Sequence, residues 1–173
     1  HILDFYIASH TIPSRYLNAK VKNAEFAIIR NADATIICTE KRREQILGSN
    51  PKRLEIIHNT PKDISQVRDD FCYVRNSPRC KIVYVGILGE TRFLREIVKF
   101  VETNNAFEFH IGGFGVMENE IKEAAQKCGR IFYYGKLPYG KTLALEQSCD
   151  IMMAIYDPTV PNHKYSAPNK FYE

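Results

Sequence analysis

Short runs of β-branched residues alternate with amphipathic helical segments along the chain, and this alternation restricts the fold more than any other feature. The run Ile82–Gly86 is almost continuously apolar, as is typical of a parallel strand buried on both faces. Similar runs follow at 107–111, 130–134 and 150–155, separated by helical segments at 94–101, 117–128 and 142–148. Strands and helices in this order form βαβ units. The sequence therefore predicts an α/β fold with Rossmann-like parallel sheets.

The first sixty residues show the same alternation in a shorter form. They predict a strand over 2–8, a long helix after Ser14, strands over 34–38 and 54–57, and a charged helix over 40–47. The apolar spacing in the long helix predicts one face toward the core, formed by Tyr16, Leu17, Val21, Ala24, Ile28 and Ala32. Residues 62–80 are polar and lack periodicity. We therefore expect residues 1–61 to be the end of one domain, 62–80 a linker, and 81–173 a second domain that is incomplete at its C-terminal end.

The composition is that of an ordinary globular protein. Of 173 residues, 45% are hydrophobic and 25% are charged, and no apolar run approaches the roughly 18 residues of a membrane span. The net charge of +4 lies in residues 1–80, with thirteen basic and nine acidic residues, whereas residues 81–173 have eleven of each. This mild excess of positive charge is suited to anionic ligands or to a peripheral contact with an anionic membrane surface. It is weaker than the clustered charge of a nucleic-acid-binding protein, so we expect no nucleic-acid partner.

Cysteine and histidine spacing gives no metal or nucleophile motif. The five cysteines are widely spaced without a CxxC pair, which predicts reduced thiols in a cytoplasmic protein. The five histidines are dispersed, and no two have metal-ligand spacing. The sequence shows no nucleophile elbow and no Ser/His/Asp order. The catalytic residue therefore stays unassigned.

Glycines follow several of the predicted strands. Gly86, the pair Gly112-Gly113 and Gly135 stand where strands end, and the carboxyl ends of parallel strands line the ligand crevice of an open sheet. The loop after Gly86 can offer backbone N–H groups and Arg92 to an anion, and Lys136 can face a phosphate. For each of these residues the alternative is an ordinary surface turn.

The turn that contains Gly113 disfavours one class of enzyme. Glu118 stands where a dinucleotide-binding fingerprint has its third glycine. A nicotinamide-dependent oxidoreductase is therefore the least favoured class.

The last segment, 157–173, points most directly to a ligand. Pro168 suits the first position of a helix, so Asn169 and Lys170 fall in its first turn, where N–H groups favour an anion. Glu173 follows on the same face. An ammonium and a carboxylate together suit a ligand with phosphate and hydroxyl groups. The alternative is a capped helix with a Lys/Glu surface pair.

These motifs, in this order, resemble family 4 (group 1) of the GT-B glycosyltransferases. Residues 81–173 resemble the donor-binding half, and residues 1–61 resemble the end of the N-terminal domain. The shared features are Glu25, Arg30-Asn31-Ala32-Asp33-Ala34, Thr39-Glu40, Ile56 to Pro61, Tyr84-Val85-Gly86 with Arg92, Gly112-Gly113-x-Gly115, Gly135, Cys149-Asp150-Ile151 and Pro168 to Glu173.

The resemblance implies two partial domains of a GT-B architecture from a retaining, metal-independent enzyme without a cofactor. Its substrates would be a nucleotide-diphosphate sugar and a glycan or lipid-linked acceptor, in bacterial surface polysaccharide synthesis. It implies a phosphate contact at Arg92, a diphosphate cradle at 167–170 and a ribose contact at Glu173.

Together with the residues at the strand ends, these contacts give the full set of predicted donor-binding residues, which are Gly86, Arg92, Gly113, Lys136, Asn169, Lys170 and Glu173. We expect the enzyme in the cytoplasm or at the inner face of the plasma membrane, and this fragment alone to be inactive.

Two positions depart from the family pattern and leave alternatives open. Ile87 stands where the family often has an arginine, and Tyr165 replaces the first of two glutamates that usually touches the donor sugar. The donor sugar is therefore not predicted. A non-catalytic phospho-ligand or protein-interaction module and a nucleotide-sugar epimerase are the alternative functions.

Overall fold

The computed structural model describes residues 2, 5–10, 12–60 and 77–171. Its helices are α1 (Tyr6–Ser9), α2 (Arg15–Asn31), α3 (Leu94–Thr103), α4 (Glu118–Lys127), α5 (Tyr139–Gln147) and α6 (Pro161–Lys164). Its strands are β1 (Thr35–Ile37), β2 (Leu54–Ile56), β3 (Cys80–Ile87), β4 (Phe107–Phe114), β5 (Ile131–Tyr133) and β6 (Ile151–Met152). In the described part of the chain, no helix is long and apolar enough to cross a bilayer.

The chain divides into two compact units. Among the described residues, the first unit contains 2–60 together with 157–171, and the second contains 77–156. The sequence did not predict that 157–171 packs with the first unit. The predicted domain boundaries stay a prediction, and most of the predicted linker, 62–80, lies outside the described residues.

The first unit contains a two-stranded parallel sheet, in which Thr35 pairs with Leu54. Ile2 adds a single parallel bridge to Ile37. The prediction of one strand over 2–8 is wrong for residues 6–8, which belong to α1. The carboxylate of Glu25 on α2 accepts a hydrogen bond from the Tyr6 backbone N–H at 2.7 Å. This long-range contact satisfies an N–H group in the first turn of α1, where helices lack internal partners.

Helix α2 begins where the sequence predicts, but it buries a different face. The Ser14 side chain caps it by accepting a hydrogen bond from the Leu17 N–H at 3.4 Å. Phe26 and Ile29 pack into the core of this unit, whereas Leu17 and Ile28 are 52% and 69% exposed. The predicted buried face is therefore wrong. The helix has two apolar stripes, and helical periodicity alone does not choose between them.

The second unit confirms the α/β fold with a four-stranded parallel sheet in the order β5-β4-β3-β6. Strands β3 and β4 pair along their whole length, from Cys80 opposite Phe107 to Ile87 opposite Phe114. One face of the sheet packs on α3 and α4, and Val83 and Val85 on the other face pack on Leu145 of α5. The carboxyl ends of β3, β4 and β5 consequently lie side by side.

Candidate functional site

The chain that leaves β3 turns back tightly before α3 begins. Glu90–Arg92 forms a 3-10 turn, in which the Arg92 N–H donates to the Gly89 carbonyl oxygen at 3.2 Å. Phe93 then adopts a left-handed backbone with φ of 56°, which is uncommon for a residue with a side chain. This turn places Arg92 at the carboxyl end of the sheet.

The guanidinium of Arg92 lies over the aromatic ring of Tyr156. Its Cζ atom is 4.0 Å from the ring centroid, within the range of a cation–π contact. The Nη1 atom of Arg92 is buried and has no hydrogen-bond partner among the described residues. Buried polar atoms in proteins are nearly always hydrogen-bonded. This N–H group is therefore suited to an acceptor from a ligand.

Tyr84 is hydrogen-bonded to the same loop. Its hydroxyl donates a hydrogen bond to the Ile87 carbonyl oxygen at 2.7 Å. Burial raises the pKa of Tyr84 to about 12, although the nearby charge of Arg92 opposes that shift. The phenol therefore stays protonated at neutral pH and remains a hydrogen-bond donor to the loop.

Gly86 and Gly113 meet at the ends of the two central strands. They are paired in register, and Gly113 has a φ of 134°. A Cβ atom on Gly113 would overlap the Gly86 carbonyl oxygen. The Gly113 N–H donates to Gly135 O at 2.7 Å, and the Tyr133 hydroxyl donates to Gly113 O at 2.8 Å. Strand packing thus explains glycine at 113, and its contact with a ligand stays a prediction.

Lys136 follows β5 and lies at the same edge of the sheet. Its Nζ atom is 5.0 Å from the centroid of the Phe114 ring, and Phe114 directly follows Gly113. The second unit therefore brings together four of the predicted site residues at its carboxyl edge, namely Gly86, Arg92, Gly113 and Lys136.

Two further predicted site residues, Asn169 and Lys170, belong to the first unit. They lie in a 3-10 turn, Asn169–Phe171. The Phe171 N–H closes this turn on the Pro168 carbonyl oxygen at 3.0 Å. Glu173 lies outside the described residues. The roles of these three residues in ligand binding stay predictions.

The sequence gives no indication of Tyr156 as part of the candidate site, and Tyr84 enters only as one of the residues shared with the glycosyltransferase family. Tyr156 follows β6, which pairs with β3 through Ile82 opposite Ile151. No sequence signal links Tyr156 to Arg92, because their contact depends on the order of strands in the sheet. Among the described residues, no group of three or more His, Cys, Asp and Glu side chains is arranged to hold a metal ion.

Comparison with known proteins finds similarity at the level of fold. No protein-family model and no curated protein matches this chain. A crystal structure of TarM matches with a TM-score of 0.53 and 18% identity over 77% of this chain and 27% of TarM. A second match is a TarM mutant from S. aureus in complex with fondaparinux, alpha-GlcNAc-glycerol and UDP. It has a TM-score of 0.56 and 15% identity, over 84% of this chain and 30% of that chain.

These similar structures are glycosyltransferases with a GT-B-like fold. This chain spans less than a third of the length of each. At these identities the likeness shows the fold, so the chain has the Rossmann-like α/β architecture that occurs in GT-B glycosyltransferases.

Proposed function

We propose that this chain supplies the donor-binding part of a retaining glycosyltransferase. The substrates are a nucleotide-diphosphate sugar and a glycan or lipid-linked acceptor, in bacterial surface polysaccharide synthesis. The observation that carries the proposal is the position of Arg92, over Tyr156 and with a buried, unpartnered Nη1 atom at the carboxyl end of β3. Ligands of open α/β sheets bind outside the carboxyl ends of the strands. The similar TarM structure that contains UDP supports a nucleoside diphosphate as the ligand.

In this proposal, Arg92 stabilises the diphosphate leaving group. Negative charge accumulates on the diphosphate as its bond to the sugar breaks. A fixed cation accelerates this step because it binds the transition state more strongly than the ground state. Arginine keeps its charge at all relevant pH values, so the stabilisation needs no proton transfer. A hydrogen bond to a charged group contributes about 1.5–3 kcal/mol.

The remaining predicted residues complete the donor site. Lys136 adds positive charge near the diphosphate, and the family resemblance implies further contacts with it from Lys170 and from the backbone of residues 167–170. Glu173 accepts hydrogen bonds from the ribose hydroxyls. In this scheme basic side chains and N–H groups hold the leaving group in place of a metal ion.

We also propose that the enzyme acts in the cytoplasm or at the inner face of the plasma membrane. A lipid-linked acceptor would be reached there, and the nucleotide-sugar donor is a water-soluble molecule. The net charge of +4, which lies in residues 1–80, suits a weak contact with an anionic surface.

The test uses the protein expressed from its complete reading frame. It is incubated with UDP- and GDP-linked sugars and a lipid-linked acceptor, and release of nucleoside diphosphate is measured. We expect release that depends on the acceptor, with the donor's anomeric configuration retained in the product. Arg92→Met should lower the rate roughly 10- to 100-fold, whereas the control Arg95→Met should stay within about twofold.

Two results would contradict the proposed function. Interconversion of the donor sugar without any transfer would identify an epimerase. Binding of the nucleotide without transfer or hydrolysis would identify a non-catalytic module of the same fold.

A further inference from the structure

We propose that Tyr156 is a positioning residue of the donor site, whose ring holds the Arg92 guanidinium in the orientation that receives the anionic ligand. This inference rests on the proposed function, because it assigns Tyr156 a part in nucleoside diphosphate binding. It adds a residue that follows β6 to a site otherwise built from the loops after β3, β4 and β5.

The contact is close and has a geometry suited to arginine. Arg92 Cζ is 4.0 Å from the Tyr156 ring centroid, compared with 5.0 Å for the Lys136 Nζ over Phe114. A planar guanidinium stacks on an aromatic ring through its face. Its N–H groups point outward from its edge, where they can form paired hydrogen bonds with a phosphate.

An aromatic support leaves the charge of Arg92 available to a ligand. The neighbouring Arg95 donates hydrogen bonds to Glu120 at 2.8 Å and to Glu90 at 3.3 Å. Arg92, by contrast, makes no ion pair within the described residues. A carboxylate beside Arg92 would compete with an anionic ligand for the same N–H groups. The Tyr156 ring holds the guanidinium without that competition.

The fold makes this contact possible through the pairing of β6 with β3. Val83 lies opposite Met152, so the chain that leaves β6 runs beside the loop that leaves β3. Tyr84 fixes that loop at the Ile87 carbonyl oxygen, and Tyr156 holds its charged end at Arg92. A side chain fixed before the ligand arrives loses less conformational freedom on binding, which raises affinity.

The first arm of the test observes the contact without any ligand. The Arg92 Nε–Hε resonance of the full 173-residue chain is assigned by NMR through its loss in Arg92→Lys. We expect Tyr156→Phe to keep the ring-current shift of this resonance and Tyr156→Leu to abolish it. Tyr16→Leu, at an exposed position of α2, is the matched control and should change nothing. An unchanged Arg92 resonance in Tyr156→Leu would overturn the inference.

The second arm measures calorimetric binding of UDP, GDP and inorganic pyrophosphate. We expect Tyr156→Phe to bind within about twofold of the wild type, and Tyr156→Leu to bind about 5- to 30-fold more weakly. In an Arg92→Met background, Tyr156→Leu should have no further effect, because the two residues act as a unit.

The outcomes separate the two proposals. If the wild type binds UDP and Tyr156→Leu binds it equally well, the inference fails while the proposed function stands. The inference also fails if Tyr156→Leu weakens binding equally with and without Arg92. If the wild type binds none of UDP, GDP and pyrophosphate, both proposals fail.

Discussion

Gly86 and Gly113 face each other in register at the carboxyl ends of the two central strands, and position 113 has no room for a side chain. A Cβ atom there would overlap the carbonyl oxygen of Gly86, and the φ of 134° is one that other residues rarely adopt. Glycine at 113 therefore lets the two longest strands of the sheet stay paired up to the candidate site.

Gly113→Ala should destabilise the second unit by about 2–4 kcal/mol, because overpacking and an unfavourable backbone conformation combine. Gly129→Ala is the matched control, since a Cβ atom at 129 meets nothing within 4 Å. Hydrogen exchange of the β3 and β4 amides measures the change within this unit. Equal protection in the two variants would contradict the packing explanation.

Asn162→Ala should loosen the attachment of residues 157–171 within the first unit. Asn162 is 6% exposed. Its Nδ2 donates to Phe5 O at 3.1 Å, and its Oδ1 accepts from Gln45 Nε2 at 2.8 Å. Losing buried hydrogen bonds leaves their partners unsatisfied, which costs about 1–3 kcal/mol.

Amide exchange at 161–165 should therefore become faster in Asn162→Ala. The control is Asn23→Ala, an exposed position on α2. If exchange at 161–165 responds equally to both substitutions, Asn162 does not tie this segment to the unit.

The free energy of unfolding of the second unit should decrease as the pH falls below about 6.5, because His110 is buried. The side chain is 2% exposed, with Nδ1 2.8 Å from the Tyr134 hydroxyl and Nε2 3.6 Å from Glu108. Burial lowers the pKa of His110 below its ordinary value of 6.5. The negative charge of Glu108 opposes this shift, and the positive charge of Lys81 adds to it. Just below pH 6.5 the unfolded chain therefore binds more protons than the folded protein, so stability decreases with falling pH.

The expected slope is at most about 1.4 kcal/mol per pH unit, the value for one proton. Burial alone raises the pKa of Glu108, but hydrogen bonds from Ser77 and Arg79 bring it below its usual range, so Glu108 contributes little in this window. Protection factors of the β4 amides at pH 7.5 and 5.5 measure the effect. The difference between the two pH values should become smaller in His110→Gln and stay unchanged in the exposed control His58→Gln. A pH effect of undiminished size in His110→Gln would exclude His110 as its source.

The sequence predicts the elements of the second unit well, because its signals there are local. The apolar run at Ile82–Gly86 and the alternation through 107–155 indicate parallel strands and covering helices without any tertiary information. The α1 region is different, since its first turn is stabilised by Glu25, which lies far along the chain. The buried face of α2 was predicted wrongly because both of its faces carry apolar residues.

The candidate site was predictable only where it follows strand ends. Arg92 lies in the loop that follows Gly86, and Lys136 directly follows Gly135, so the rule that ligands bind at the carboxyl ends of parallel strands finds both. Tyr156 has no such signal, because its position over Arg92 follows from the pairing of β6 with β3. That pairing is set by packing of the whole sheet and has no local pattern in the sequence.

The most direct test of the central claim is a calorimetric titration of UDP and GDP into the protein and two arginine variants. At least one of these nucleoside diphosphates should bind the wild type. Arg92→Met should weaken binding about 10- to 100-fold, through loss of a charge-assisted hydrogen bond. Arg95→Met, whose arginine pairs with Glu90 and Glu120, should bind within about twofold of the wild type. No binding of either nucleotide, or equal effects of the two substitutions, would contradict a nucleoside diphosphate site at Arg92.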